Sequence, residues 1–164
     1  MNTDGSCSTN LQLYALLQAK RYWNVLAADY LRDKQDTNDL VERCVFIVAT
    51  LGLSVSQLLG QNDPAPTIGK IASPRSIWKR FVAKHGVTDV STDEFEKFME
   101  IYDACRHFGV SPDGLGHSRL EQLDFETTRR WYNVAHLIWL AVIKALRADP
   151  QNVIDVIEVD GFEV

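Results

Sequence analysis

One uncharged stretch of the chain decides the fold: CVFIVATLGL, residues 44–53. Its apolar residues cover most of the circumference of a helix, and a helix without a polar face has to be buried on all sides. We therefore predict a helix that begins near Asp36 or Thr37, ends at Gly60 and lies at the centre of a bundle. Gly52 weakens this helix by up to about 1 kcal/mol relative to alanine, unless a neighbouring backbone approaches closely there.

The segments on either side of this helix show the same helical period. Over residues 11–31, apolar side chains recur every three or four positions, which predicts a first amphipathic helix. Residues 61–73 form a proline-containing connection. Ser73 and Pro74 then supply a cap and a first-turn proline for a short basic helix, which Gly86 ends.

Two further helices follow in the second half of the chain. Ser91 has a glutamate three positions later, the spacing of a capping box, so a helix begins there and runs to Gly109. Residues 110–123 are polar and contain glycines, which predicts a loop. A last, strongly apolar helix begins at Asp124 and is stopped by Pro150.

With 164 residues the chain fits one domain. We expect residues 1–150 to form a single all-α domain, a helical bundle of about five helices, and residues 151–164 to form an acidic C-terminal tail. Within the tail, residues 153–159 alternate imperfectly and are rich in β-branched side chains, which suits a short strand. A tail packed on the helices is the alternative.

Composition argues against several classes of protein. No apolar run reaches the roughly 18 residues that span a bilayer, and residues 1–10 lack the basic start of a secretory signal. Three cysteines without paired spacing indicate reduced thiols. Cys105, His107 and His117 have neither zinc spacing nor a fourth ligand. We therefore expect a cytoplasmic protein with no membrane association, no cofactor and no bound metal.

The formal net charge of -5 hides an uneven distribution. The segment between Asp63 and Asp89 contains five bases and no acid, whereas the segment after Arg147 contains five acids and no base. A basic segment can contact the phosphates of RNA, although a solvated surface has the same composition. The candidate binding residues are Lys70, Arg75, Lys79, Arg80 and Lys84.

The segment Arg106-His107-Phe108-Gly109 places a charged pair where two apolar helices meet. Arg106 lies about 40° from Tyr102 on the apolar face of its helix, so its side chain points inward or along the edge of a cleft. His107 is turned toward the opposite side. The pair has two interpretations: a catalytic or ligand site, or a helix end at which basic side chains bind free carbonyls.

The order of the helices, with Arg106-His107 ending one of them and residues 123–128 beginning the next, resembles HEPN-like helical proteins. That family commonly carries an arginine and a histidine separated by four to six residues at such a helix end. Many members are metal-independent RNases that act as toxins or in phage defence, and others only bind. The resemblance implies a dimer in which histidine moves a proton and arginine stabilises charge on a phosphate.

Two pairs are candidate catalytic residues under this resemblance. Arg106 and His107 lie at the expected helix end but are adjacent, whereas Arg129 and His136 have six intervening residues but lie inside the last helix. The first hypothesis is therefore a HEPN-like helical domain, a homodimer, that binds a protein or RNA partner in a bacterial stress, toxin–antitoxin or phage-defence setting. The alternatives are a metal-independent HEPN-type RNase and a helical adaptor or inhibitor unrelated to that family.

Overall fold

The computed structural model describes residues 5–33, 38–110 and 113–148, with side chains described for 16–32, 40–110 and 113–148. This part of the chain folds into helices without a strand, which confirms the all-α class. The strand predicted over residues 153–159, and the acidic tail that contains it, lie outside the described residues. The helices are α1 (Gly5–Asp33), α2 (Asn38–Gln61), α3 (Pro74–His85), α4 (Thr92–Arg106), α5 (Gly116–Glu121) and α6 (Phe125–Ala148).

Two predicted helix starts and one predicted helix end are confirmed. The side chain of Ser73 accepts the backbone N–H of Ser76 at 3.2 Å and caps α3. The side chain of Ser91 accepts the N–H of Glu94 at 3.1 Å and caps α4. Gly86, in the left-handed conformation with φ of 64°, ends α3. Each of these groups satisfies a backbone polar group that the helix itself leaves unpaired.

Two predictions about the segment after α4 are wrong. The helix α4 ends at Arg106 and not at Gly109, because the backbone of Phe108 and Gly109 has turned to positive φ angles of 53° and 83°. Residues 116–121, expected in a loop, form the short helix α5, so six helices are described where we expected about five. A helix of 6 residues is too short to show an apolar period in its sequence.

The helix α2 lies at the centre, as predicted, and contacts each of the other described helices. Its side chains Leu51 and Val55 have no exposed surface. The buried hydroxyl of Ser54 accepts a hydrogen bond of 2.7 Å from Nε1 of Trp139 on α6. This bond pairs two polar groups whose burial would otherwise be unfavourable, and it fixes α6 along α2.

Stacked aromatic rings join the outer helices to each other. Between α3 and α4, the ring of Trp78 stacks on Phe95 with 4.8 Å between centroids. Between α1 and α6, Trp23 and Tyr30 both stack on Phe125, at 5.0 and 4.1 Å. Such pairs contribute about 0.5–1.5 kcal/mol each beyond their buried area. These contacts hold the outer helices in place around α2.

By length and composition alone, residues Leu40–Gln61 of α2 are apolar enough to cross a membrane, and they are the one such segment among the described residues. Half of the apolar window is buried inside the bundle. Because the core helix of a soluble protein has the same composition, this property says little about membranes. The absence of membrane association stays a prediction.

Gly52 marks a close approach between two helices. It lies on α2 against the ring of Tyr102 on α4, and a Cβ atom at Gly52 would lie 2.0 Å from Cδ2 of that ring. Tyr102 is buried, so its ring has little room to move. The glycine is therefore required by a side chain of α4, and not by a neighbouring backbone, which was the exception that the sequence left open. It lets α4 pack directly on α2.

We predict that Gly52→Ala lowers the free energy of unfolding by about 1–3 kcal/mol, because the added methyl group displaces the ring of Tyr102. Gly60→Ala, in the same helix, is the matched control: nothing lies within 4 Å of its added methyl group, so the free energy of unfolding should rise by up to about 1 kcal/mol. Urea denaturation measures both changes. Effects of the same sign and size at the two positions would contradict the close approach.

Candidate functional site

The outward side of α2 is left uncovered by the other described helices and forms one wall of an open groove, which we name the α2–α4 groove. Its apolar members recur every four residues and so lie along one helix face. Phe46, beside them, is 53% exposed. An exposed apolar stripe on a core helix marks a surface suited to binding. The wall on α2 consists of Val41, Glu42, Val45, Phe46, Ala49 and Leu53.

The opposite wall is built from the end of α4, the turn after it and α5. A close backbone contact positions α5: a Cβ atom at Gly116 would lie 2.2 Å from the carbonyl oxygen of Gly109, so only glycine fits there. The groove between the two walls has a volume of about 1090 Å³. The second wall consists of Tyr102, Cys105, Arg106, Phe108, His117 and Leu120.

Two charged side chains, Glu42 and Arg106, lie in the lining of the groove, one on each wall. In the described part of the chain neither of them forms an ion pair. Opposite charges beside an apolar surface orient a partner and exclude partners of the wrong charge pattern. The groove therefore presents an apolar surface with one acidic and one basic contact point.

Arg106 and His107, the first candidate pair, have different surroundings. Both side chains are exposed. Arg106 lines the groove, in agreement with the helix-face argument, whereas His107 is not one of the lining residues. The backbone N–H of His107 donates to the carbonyl of Asp103 at 3.0 Å and ends α4. The two side chains do not converge on a common cleft.

Arg129 and His136, the second candidate pair, are separated by burial. Arg129 is exposed and forms an ion pair of 3.5 Å with Glu126. His136 is 5% exposed on the buried side of α6. Burial lowers the pKa of His136, and the nearby charge of Lys20 lowers it further. A buried, neutral imidazole is poorly placed to act on an RNA backbone in solvent.

Two of the five candidate binding cations form ion pairs between α3 and α4. Arg75 pairs with Glu96 at 2.8 Å and with Asp103 at 3.0 Å. Lys79 pairs with the other oxygen of Glu96 at 3.4 Å. These contacts hold the two helices together on their solvent side, so the cations are engaged with carboxylates rather than presented to a ligand.

A third candidate cation, Arg80, holds the connection between α2 and α3. Its guanidinium donates two hydrogen bonds to Asp63, at 3.1 and 2.6 Å, and this lowers the pKa of that carboxyl. The side chain of Asp63 is only 5% exposed. Lys70 and Lys84 are exposed. The basic segment is thus largely neutralised within the fold, and its footprint for phosphates is small.

The thiol of Cys105 lies in the second wall of the groove but is buried. Burial raises its pKa to about 12, and the nearby Cys44 adds to the effect. A thiol that stays protonated at neutral pH is a weak nucleophile. The groove therefore offers apolar contact, one carboxylate, one guanidinium and the imidazole of His117.

Sequence reasoning identified Arg106 as a candidate, considered Cys105 and His117 only as metal ligands, and missed the groove residues on α2. Val41, Phe46 and Leu53 belong to a helix that is apolar on most sides, and its pattern predicts burial for all three. One feature of the sequence did indicate an exposed side. A helix that is apolar on most sides needs neighbours around its whole circumference, and the chain has few other helices to cover it. Phe108 had no signal apart from its place at a helix end.

We predict that acid destabilises the fold through His136. Its pKa is lowered in the folded state, so below about pH 6.5 the unfolded state binds the proton first and the free energy of unfolding falls. If the pKa of a histidine is one unit lower in the folded state than in the unfolded state, the free energy of unfolding falls by about 1.4 kcal/mol as the pH drops below both values. Urea denaturation between pH 7.5 and 5 should show this fall in the wild type and a smaller one in His136→Gln. An equal fall in both proteins would contradict it.

Comparisons of the chain with protein-family models, with curated proteins and with solved structures each gave no match.

Proposed function

We propose that this chain is a HEPN-like helical domain that acts by binding, in the bacterial stress, toxin–antitoxin or phage-defence setting that the resemblance implies. The observation that carries the proposal is the α2–α4 groove, which has a volume of about 1090 Å³ and an apolar wall on the central helix. Burial of exposed apolar surface is the main favourable term in association, at about 25 cal/mol per Å². A helix or turn of a partner protein fits such a groove.

The occupant we propose is a second copy of the chain. The groove carries one acidic residue, Glu42, and one basic residue, Arg106, on opposite walls. Under a twofold axis, each charge of one copy can meet the opposite charge of the other. A surface with one charge of each sign is complementary to itself, whereas a partner of a single charge sign would leave one of the two charges unmatched.

The exposed apolar surface extends beyond the α2–α4 groove. Glu42 and Phe46 also line a neighbouring groove of about 460 Å³, whose other wall is formed by Arg21, Tyr22 and Val25 on α1. The ring of Tyr22 packs edge-on against Phe46, with centroids 4.9 Å apart. The exposed apolar face thus continues from α1 across α2 to α5.

One observation favours the alternative, a metal-independent RNase. Arg106 has no ion-pair partner among the described residues, so its guanidinium is available to a phosphate. Against this stand the divergent surroundings of Arg106 and His107, the burial of His136 and the pairing of the basic residues on α3. We therefore propose protein binding as the function. RNA cleavage is the alternative, which the RNase assay below tests.

Charge reversal tests the proposed dimer. A twofold dimer contains two Glu42–Arg106 pairs. Arg106→Glu and Glu42→Arg each turn both attractions into repulsions. The Kd of each variant dimer should therefore be about 10-fold or more above that of the wild type. Mixed in equal amounts, the two variants should form a heterodimer, because both pairs are then opposite in charge again. Sedimentation velocity over a dilution series measures each equilibrium.

Lys70→Glu, which reverses an exposed charge outside the groove, is the matched control and should leave the dimer unchanged. A wild-type chain that stays monomeric at about 100 μM, a concentration far above the Kd of a specific interface of standard size, would exclude the second copy as the occupant. A mixture that fails to recover dimer would exclude the proposed charge pairing.

An RNase assay decides between binding and catalysis. Purified wild type, Arg106→Ala and His107→Ala are incubated with labelled RNA in EDTA. We expect no cleavage above background by any of the three proteins, because the arginine and the histidine of each candidate pair do not converge. Cleavage by the wild type that is lost in both variants would establish the RNase and overturn the binding proposal.

A further inference from the structure

The turn that ends α4 contains an aromatic residue in a backbone conformation that favours glycine. The N–H of Gly109 donates to the carbonyl of Ala104 at 2.8 Å, and the N–H of Phe108 donates to Cys105 at 3.4 Å. This is the hydrogen-bond pattern of a Schellman motif, in which the residue at the position of Phe108 is left-handed and most often glycine. Phe108 has a φ of 53°. For a bulky side chain this conformation is an outlier.

Burial does not explain the phenylalanine. Its side chain is 81% exposed, so it contributes little to the core. Glycine in its place would satisfy the same two backbone hydrogen bonds without the clash between Cβ and the backbone. The fold by itself therefore gives no reason for an aromatic residue at this position. Unfavourable backbone conformations of this kind cluster at binding sites and switch segments.

The position of Phe108 points to a reason for the aromatic side chain. It lies in the second wall of the α2–α4 groove, beside Arg106, and projects an aromatic ring into solvent next to an apolar surface. A projecting ring and an apolar groove on the same molecule are the two halves of a reciprocal contact. Under a twofold axis each ring can enter the groove of the other copy.

We infer that Phe108 is the anchor of the dimer contact and that its strained backbone is retained for this role. The inference rests on the proposed self-association and adds to it the residue that fills the groove. A buried aromatic ring removes roughly 150–250 Å² from water. Truncation of such an anchor at the centre of an interface usually weakens binding far more than truncation of the residues around it.

The test compares Phe108→Gly with Phe108→Ala. Both remove the ring, so both should raise the Kd of the dimer by at least about 30-fold, measured by sedimentation velocity. Only glycine relieves the left-handed backbone. Phe108→Gly should therefore melt about 2–4 °C above Phe108→Ala when both are monomeric. Loss of binding together with a gain in stability separates an anchor from a residue that merely supports the fold.

Ile71→Ala is the control, because this side chain is fully exposed and lies outside the groove. It should leave the Kd unchanged. A wild-type dimer that Phe108→Gly does not weaken overturns the inference and leaves the proposed self-association standing. A monomeric wild type overturns both. Equal weakening by Ile71→Ala, or a Phe108→Gly protein that melts below Phe108→Ala, also overturns the inference.

Discussion

The helix α2 is apolar around most of its circumference, and the arrangement of the other helices follows from the need to cover it. Each neighbour covers one sector, and specific contacts hold two of them. On α6 the contact is the hydrogen bond from Trp139 to the buried hydroxyl of Ser54, and on α4 it is the ring of Tyr102 against Gly52. The sector between α1 and α5 has no such neighbour in the described structure. The side of α2 that no described helix covers forms one wall of the α2–α4 groove.

The turn after α4 links this packing to the proposed site. The turn stops the helix through the hydrogen bonds of Phe108 and Gly109, and the backbone contact between Gly109 and Gly116 then brings α5 across its end. The same few residues therefore end a helix and complete the second wall of the groove. The backbone conformation that ends α4 therefore also sets the shape of the groove.

The charged residues divide into two groups by their role. Most of the basic residues on α3 are paired with acids on α4 or on the preceding connection, as Arg80 is with Asp63. Such pairs, partly exposed, contribute at most about 1 kcal/mol each, but they neutralise what the sequence presents as a basic stripe. Glu42 and Arg106 form no ion pair within the described residues. Both lie in the groove, so the surface that is apolar is also the surface with charges available to a partner.

Local sequence determined five of the six described helices and several of their ends. The caps at Ser73 and Ser91 and the central place of α2 were predictable, because caps and apolar periods act over three or four residues of the same helix. Local sequence also indicated that Arg106 lies at a cleft edge. The tertiary structure alone decided that Phe46 is exposed, that His136 is buried and that Arg75 is paired. Burial and ion pairing depend on which distant residues pack nearby, and no pattern within one helix encodes that.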